Sequence, residues 1–565
     1  MSGPTPQKES FAAFIPWLIA LFLVVLGAQL WVVWLYGSPL PVGDQWDQAR
    51  HIFRPWLSGH LRPADLFAED SNHRIVMTHL LDMGLISLNG RWDPMLEMAV
   101  DVFLRAIFAV GMAACFWIFF GRGHGGLICF LLLPFFALPY DGENAIWGIN
   151  SLWYLVNIFG VVSIAGLAFS SMGTWRWWIG LGAAVLGLLT MASGMLAPVA
   201  IGGLLLLRAI KARRFAKTEW ITFGLAALLV AAGGAMVAMP EENRRLQAHS
   251  FLEFTAALTH NLSWPFPQIP LMTFVIAVPL ILLVIFYLRP DFGPSRGAEL
   301  ILGLALWSAL NSVMIAYGRA NYVVAVPGSR YMAMFSTWPL CSVFACVLIE
   351  QNRRGDRPPS RREWLLPLAF AAVVVFGICS ISSTVVEDVL AVTREWNLLG
   401  EERVETFFRT GDETELLRQP TIVPDARVAL DVLRDPTLPA ILPPSCLPPA
   451  PAVSAGRLSP AGRWLLGHSR WILAAGLMLF CCLCGIGLMR QTMGLTVHRP
   501  AGWIALLAGL VGLGFIGFRH DLTRVAVERD LQQQLAVFFK VNDPVRAAAH
   551  ARKAEETDSA NQFAN

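Results

Sequence analysis

Charged side chains are scarce in this sequence. Only 15% of the 565 residues are Asp, Glu, Lys or Arg, whereas 55% are hydrophobic and the chain carries 21 Trp and 35 Phe. A soluble domain cannot bury that much apolar and aromatic surface. The composition therefore predicts an all-α integral membrane protein that crosses the bilayer many times.

An excess of basic charge is also missing. The formal net charge is only +3, and no basic run is interleaved with aromatic residues in the way that binds nucleic acid strands. We therefore expect no nucleic acid partner. Membrane lipids and lipid-linked molecules are the partners that this composition favours.

Cysteine usage gives no disulfide framework and no metal site. Eight of the nine cysteines lie in apolar runs, which leaves Cys446 alone in a polar segment. Cys481 and Cys484 have C-x-x-C spacing, but an apolar helix is a poor place for a redox or zinc site. The chain also lacks a believable P-loop, dinucleotide fingerprint, H-E-x-x-H or G-x-S-x-G motif, so the usual soluble chemistries are not supported.

The apolar runs predict about 13 transmembrane helices, since a helix needs about 20 apolar residues to cross a bilayer. The "MASGMLAP" break (Met191 to Pro198) is expected to divide a long apolar stretch into two short helices. The long runs span 11 to 36, 95 to 120, 219 to 239, 269 to 288, 299 to 317, 330 to 349, 364 to 383, 469 to 489 and 501 to 518, and shorter ones span 126 to 139, 152 to 170 and 177 to 209.

The distribution of basic loops sets an expected orientation. "KARRFAK" and "QNRRGDRPPSRRE" should stay cytoplasmic, which places the N-terminus inside. The first apolar run is too long for a signal peptide and should remain as an anchor. The predicted location is the cell's inner (plasma) membrane, with the outer segments 37 to 94, 140 to 151, 240 to 268, 318 to 329 and 385 to 465 on its periplasmic or extracellular side.

The same pattern suggests four parts of the chain. We expect a transmembrane core with the first outer loop, an outer polar segment, C-terminal transmembrane helices and a polar helical tail. These parts span 1 to 383 (with the loop at 37 to 94), 384 to 465, 466 to 520 and 521 to 565.

The first outer loop carries two acids in "GDQWDQ". Asp44 and Asp47 are three residues apart, so on a helix they share a face and can share a proton, a cation or a hydroxyl substrate. The alternative is a pair of solvated acids at a helix start, with Asp44 as an N-cap. Trp46 and Phe53 nearby predict short interfacial helices whose aromatic rings dip into the membrane surface.

A second polar cluster, "EDSNHRI", follows in the same loop. Its acceptors and donors suit a polyhydroxylated or phosphorylated head group, and Arg74 is the fork-shaped donor that fits a phosphate. The alternative is a self-satisfied ion-pair network, and His73 and His79 lack ligand partners at zinc spacing. The candidate binding residues here are Glu69, Asp70, Asn72, His73 and Arg74.

Three other features carry polar groups at helix ends. "DGENAIWGIN" offers Glu143 and Asn144 beside Trp147, although these aromatics also fit an interfacial belt. Arg319 and Arg330 flank another outer segment, where arginines also snorkel to lipid phosphates. Asp101 and Arg105 are expected to form an intramembrane ion pair at i and i+4.

Together these outer segments resemble bacterial polytopic relatives of the C-type (GT-C) glycosyltransferases. The resemblance rests on "GDQWDQ" after the first helix, "NHRI" before the second, "ENAIWGIN" after the third, "GR" then "SRY" later, and "TGD" and "LRDPTLPAILPPS" in the long outer segment. It departs at "EDSNHRI", where related proteins often read "HNEHRI". The acid of that segment is therefore Glu69, Asp70 or none.

The resemblance implies a membrane glycosyltransferase that uses a polyprenyl-phosphate sugar donor and an outer-side glycan or lipid acceptor. It implies that Asp44 is the general base, with Asp47 as the rival. It also implies that Arg74, Arg319 and Arg330 contact the donor phosphate. Some relatives use a divalent cation, so that cofactor stays open although no metal ligands are assigned.

Two functions from other classes remain as alternatives. A transporter or flippase of a lipid-linked substrate would need charged residues or broken helices within the bilayer. A non-catalytic envelope assembly protein would use the outer segment 385 to 465 as a docking surface. Only the enzyme needs an outer-loop acid.

Overall fold

The computed structural model describes residues 11–68, 73–120, 125–237, 241–293, 295–320, 328–354, 363–417, 426–448, 456–492 and 551–552. These residues form helices joined by turns and loops, and the described part of the chain contains no β-sheet. An all-α membrane protein is the class that this architecture defines.

Nine helices in the described residues are long and apolar enough to cross a membrane, and two more apolar helices are shorter. The predicted run at 501 to 518 and nearly all of the tail lie outside the described residues, so the expected total of about 13 stays a prediction. The nine are Phe11–Tyr36, Pro94–Phe120, Gly148–Phe169, Ala192–Ala212, Lys217–Met236, Arg296–Gly318, Ser329–Arg353, Leu365–Thr410 and Ser469–Ile486, and the shorter two are Gly125–Ala137 and Met272–Leu288.

Twenty-three α-helices are numbered here in chain order. They are α1 Phe11–Tyr36, α2 Gln45–Gln48, α3 Arg54–Leu57, α4 Val76–Asn89, α5 Pro94–Phe120, α6 Gly125–Ala137, α7 Glu143–Ile146, α8 Ser151–Phe169, α9 Trp175–Leu188, α10 Leu196–Ala212, α11 Lys217–Met236, α12 Glu241–Arg244, α13 Phe251–Leu262, α14 Met272–Leu288, α15 Arg296–Gly318, α16 Ser329–Phe335, α17 Thr337–Arg354, α18 Leu365–Val385, α19 Ala391–Thr410, α20 Thr414–Leu417, α21 Ala426–Arg434, α22 Ser459–Gly467 and α23 Ser469–Thr492.

Helix α1 lies inside the bundle and packs along α23. Small residues bring the two backbones together, since a Cβ added at Gly476 would come within 2.6 Å of the Val24 backbone nitrogen. Close approach at glycine is a common way for helices to associate in a membrane. The first apolar run and the run at 469 to 489 therefore form one packed pair, although more than 400 residues separate them along the chain.

The long apolar stretch at 177 to 209 is interrupted where the sequence predicts. Helix α9 ends at Leu188, a 3₁₀ turn spans Ala192–Met195, and α10 begins at Leu196. Gly194 lies against the Gly187 backbone. The non-helical connection is thus confined to residues 189–191: the short helix α9 precedes it, while the 3₁₀ turn and α10 together form the spanning helix Ala192–Ala212, so only the first of the two expected short helices is short.

Helix α18 does not end where the apolar run ends. It continues through a π-helical turn at Val386–Leu390 directly into α19. Leu390 from that turn packs against Gly142. The polar segment predicted to begin at 384 is therefore, over its first third, a helical continuation of a membrane helix.

The first outer loop and the segment after α19 share one hydrophobic core. Trp46, Phe53 and Trp92 are buried there together with Val432 and Leu438. Ion pairs join the same two parts of the chain (Arg54 with Asp431 and Asp435). This pair of segments forms a layer that covers one end of the helix bundle.

The prediction that Trp46 and Phe53 dip into the membrane surface is wrong. Both side chains are fully buried in protein, and Phe53 meets Trp92 edge to face at 5.1 Å. Apolar residues from beyond position 400 cover them. Local helical spacing cannot reveal such a distant partner, so the aromatic pattern was attributed to lipid.

The predicted ion pair between Asp101 and Arg105 is also wrong. Arg105 binds both oxygens of Asp141, and it donates to the carbonyl oxygens of Phe136 (2.8 Å) and Leu138 (3.1 Å). The chain between α6 and α7 wraps around the guanidinium and satisfies it. The carboxyl of Asp101 keeps a buried Oδ2 without a hydrogen-bond partner.

Candidate functional site

Asp44 is placed by a tight turn at the end of the bundle where α1 finishes. Gly43 has a left-handed backbone (φ +59°) and packs against the Trp147 ring, with ring atoms 3.7 Å from where a Cβ would be. Residues with a Cβ rarely adopt this conformation, which explains the glycine. Asp44 occupies the N-cap position of α2 but makes no side-chain capping hydrogen bond, and it is half-buried. Simple capping therefore does not account for its carboxylate.

Arg330, near the start of α16, lies beside Asp44. The two side chains interact electrostatically, and the Arg330 guanidinium lies 5.8 Å from the Trp147 ring centroid and 5.2 Å from the Tyr331 ring centroid. A guanidinium over aromatic faces keeps its planar donor edge available for an anion. The first outer loop and the "SRY" segment thus meet across the "ENAIWGIN" segment.

Glu143 and Asn144 hold this arrangement together. The Glu143 carboxylate accepts hydrogen bonds from Ser329 Oγ (2.7 Å) and from the Arg330 backbone N–H (3.0 Å). Asn144 Nδ2 donates to the Arg330 carbonyl oxygen at 3.0 Å. Both side chains were expected to bind substrate. In the structure they bind the start of α16, so they position Arg330.

His73 and Arg319 complete the cluster. The pKa of His73 is lowered to about 4 because burial disfavours its charged form and because the positive charges of Arg319 and Arg330 lie nearby. Its Nδ1 is shielded from solvent and has no hydrogen-bond partner. Arg319 Nε donates to the Tyr331 hydroxyl at 3.3 Å. A neutral imidazole therefore lies next to two guanidinium groups.

These contacts bring together residues that are far apart in the sequence. The cluster joins Asp44, His73, Glu143, Arg319 and Arg330, which come from four separate segments of the chain. A carboxylate that interacts with Arg330, together with Arg319 on the other side of the His73 imidazole, can combine proton transfer with binding of an anion. Asp47 follows Asp44 in α2 and is also half-buried, while Glu69, Asp70 and Asn72 lie outside the described residues.

Arg74 has a different environment from the other arginines. Its Nε donates to the Met236 carbonyl oxygen at 3.1 Å, and its Nη1 donates to the Phe67 carbonyl oxygen. It also lines a small pocket with Leu188, Met191 and other apolar residues beside the interruption between α9 and α10. Arg74 thus ties the first outer loop to α11 through hydrogen bonds to backbone carbonyl oxygens.

Buried acids beneath α2 are the main feature that the sequence analysis missed. Asp82, Glu97 and Asp101 are each at most 2% exposed. The first lies in "THLLD", which reads as the polar end of an apolar helix, and nothing in its spacing marks it as special. The sequence does mark Glu97 and Asp101, because both are acids within an apolar run. Ionisable residues inside a membrane helix are rare and often functional.

The described residues contain no group of three or more His, Cys, Asp or Glu side chains arranged to hold a metal ion.

The fold and this cluster define a multi-pass helical membrane protein with a charged site at one end of its bundle. Comparisons of the chain with protein-family models, curated proteins and solved structures found no match. The function is therefore argued from the site itself.

Proposed function

We propose that this protein is a membrane glycosyltransferase that moves a sugar from a polyprenyl-phosphate donor to a glycan or lipid acceptor on the outer side of a bacterial inner membrane. The observation that carries the proposal is the electrostatic interaction of Asp44 with Arg330, which shares the neighbouring His73 with Arg319, at one end of an apolar bundle. A lipid-linked donor requires such a site, because its phosphate must lie at the membrane surface while its chain stays in the bilayer.

In the proposed reaction Asp44 is the general base. Its carboxylate accepts the proton of the acceptor hydroxyl as the oxygen attacks the anomeric carbon of the sugar. The bond between that carbon and the phosphate oxygen breaks, and the lipid phosphate departs with the electron pair. Arg330 and Arg319 stabilise the negative charge that grows on this phosphate. A phosphate leaving group needs little help from an acid.

Neighbouring residues have supporting roles in this proposal. Glu143 and Asn144 fix the start of α16 and so aim Arg330. His73, which is neutral at pH 7, fills the space beside Arg319 and Arg330 without adding a third positive charge. Asp47 is retained as the rival base.

A comparison of envelope glycans and glycolipids tests the proposal in the producing cells. Cells carrying Asp44→Asn should lose one specific sugar modification while the protein stays at normal abundance in the membrane. Asp65→Asn is the matched control, because Asp65 is an acid of the same loop that pairs with Arg62 at the surface. An unchanged sugar profile in Asp44→Asn and Asp47→Asn cells would exclude catalysis by this pair.

Transport of a lipid-linked substrate is a second candidate, which the interruption between α9 and α10 favours. Broken helices beside a cavity are typical of transporters, and Arg74 lines a pocket at this interruption. The two functions differ in their products, since a flippase leaves the sugar attached to its carrier. Release of polyprenyl phosphate from the donor separates them.

A further inference from the structure

Three buried carboxyl groups lie beneath the short helix that carries Asp44. Asp82 comes from α4, and Glu97 and Asp101 come from α5. Within the described chain none of the three forms an ion pair, and the nearby Arg105 is bound to Asp141 instead. Burying an unpaired charge costs on the order of several kcal/mol, so a carboxyl buried in this way favours its protonated, neutral form.

Two of these carboxyls hold the underside of α2 through its glutamines. Gln48 Nε2 lies 2.7 Å from Asp82 Oδ2 and 3.2 Å from His79 Nδ1. Gln45 Nε2 donates to Glu97 Oε2 at 2.8 Å, and Trp92 Nε1 donates to Glu97 Oε1 at 2.8 Å. The helix α2 is thus attached to α4 and α5 by side chains on the residues adjacent to Asp44 and Asp47.

Space around this contact is limited. A Cβ at Gly148 would lie 2.6 Å from Glu97 Oε2 and 2.8 Å from Gln45 Nε2. The 3₁₀ turn that follows Trp147 therefore closes over the bonded pair. Because Trp147 also packs under Gly43, the same turn connects the buried carboxyl to the loop that presents Asp44.

The position of Asp82 indicates which form of its carboxyl the site favours. Among the described residues Asp82 has no ion-pair partner, and Glu97 and Asp101 are the other acids of the buried cluster. A carboxylic acid can accept the Gln48 N–H at its carbonyl oxygen just as a carboxylate can, without adding a buried charge. Burial without a counter-charge therefore favours a neutral Asp82.

We propose that Asp82, as a neutral carboxylic acid, and Glu97 are positioning residues that fix Gln48 and Gln45 and thereby set Asp44 against Arg330. This inference rests on the proposed glycosyl transfer for its kinetic consequence. It assigns a role to acids that touch neither donor nor acceptor.

The surroundings of Asp82 agree with a neutral acid. Burial raises its pKa to about 8, and the hydrogen bond from Gln48 opposes that rise. The titratable groups that face it are His79 on the same helix, whose pKa burial lowers to about 4, and Glu97 and Asp101 on α5. Helix α8 contributes the Ser151 hydroxyl, bonded to Thr78 at 2.8 Å, and Tyr154, which interacts with Asp101. None of these groups carries a positive charge near pH 7, because His79 is neutral and an ionised carboxyl is negative.

The kinetic test compares the pH dependence of transfer in wild type, Asp82→Asn and Asp82→Ala. In wild type kcat should fall as pH rises through about 8, because an ionised Asp82 adds a buried negative charge beside Glu97 and Asp101 and the resulting repulsion displaces α4 and α5 beneath α2. The Asn variant keeps a neutral partner and should lose this alkaline fall. The Ala variant should lose kcat about 10-fold or more at every pH, with little change in the KM for the donor, as expected for a displaced base. An Asn variant with the wild-type pH profile would overturn the inference.

A stability test does not depend on transfer. An acid whose folded pKa of about 8 lies above its unfolded value of about 3.9 binds more protons in the folded state between those values. The Tm of wild type should therefore fall relative to that of Asp82→Asn as pH rises from about 4 to about 8, and the difference should then level off. The purified full chain in lipid nanodiscs is suitable for this measurement.

The two proposals fail in different ways. If Asp44→Asn keeps transfer activity, the proposed base is wrong, whatever the Tm curves show. If the difference in Tm between wild type and Asp82→Asn is the same at every pH, Asp82 is not a neutral acid and the positioning inference is wrong. Glu97→Gln is the second variant: its amide N–H would face one of the two donors that Glu97 now accepts, Gln45 Nε2 or Trp92 Nε1, so kcat should fall with little change in the KM for the donor. An unchanged kcat in Glu97→Gln would overturn the positioning role of Glu97.

Discussion

At the scale of single residues, Arg105 closes the connection between α6 and α7 over the end of the bundle. It binds Asp141 and two backbone carbonyl oxygens. Arg105→Met would leave Asp141 buried without its counter-charge, and breaking a buried pair in this way costs about 3–5 kcal/mol. We expect a marked fall in the Tm of the purified protein and loss of the site geometry, because Glu143 follows directly on this connection.

The double variant Arg105→Met with Asp141→Leu is the matched control for that loss. It removes both charges and leaves neither buried alone, so it should recover much of the Tm lost in the single variant. Equal Tm values for the single and double variants would show that the ion pair does not carry the stability of this connection.

The residues of the candidate site were only partly predictable. Asp44, His73 and Arg330 stand out because they are polar groups at the ends of apolar runs. The roles of Glu143 and Asn144 depend on the Arg330 backbone, which lies nearly 190 positions further along the chain. Asp82 gave no local signal, because its partner Gln48 belongs to another helix.

At the scale of helices, the contact between α1 and α23 depends on glycine. A Cβ at Gly476 would meet the α1 backbone, whereas a Cβ at Gly485 on the same helix would meet no atom within 4 Å. Gly476→Ala should therefore destabilise the fold by about 1–3 kcal/mol through overpacking, and Gly485→Ala should not. Thermal unfolding of both variants in the same detergent measures the difference, and equal Tm values would contradict the proposed packing.

Apolar runs predicted most membrane helices because length and hydropathy are local properties. The interruption at Ala192–Met195 was visible in "MASGMLAP" for the same reason. The layer that covers the bundle end was not visible, because its core pairs Trp46 and Phe53 with residues beyond position 400. The continuous run Leu365–Thr410 was also missed, since a polar sequence after an apolar one indicates a boundary although the backbone can stay helical.

At the scale of the whole molecule, the cluster and the basic residues at the end of α10 lie at different ends of the bundle. Ser58 is exposed in the first outer loop, and Arg214 is exposed after α10. The expected orientation places Ser58 outside. In intact cells an impermeant thiol reagent should label Ser58→Cys, while Arg214→Cys should react only after permeabilisation. The unmodified chain reports the background from native cysteines, and the reverse pattern would place the candidate site on the cytoplasmic side.

The central claim is that the Asp44 carboxylate is the general base when the bond between the sugar and the lipid phosphate breaks. The most direct measurement supplies purified wild-type protein and Asp44→Asn in nanodiscs with polyprenyl-phosphate sugars and acceptors extracted from the producing cells, and follows free polyprenyl phosphate by mass spectrometry. The account predicts release by wild type and little or none by Asp44→Asn, with Asp65→Asn unchanged. Equal release by wild type and Asp44→Asn, or no release by any of the three, would contradict it.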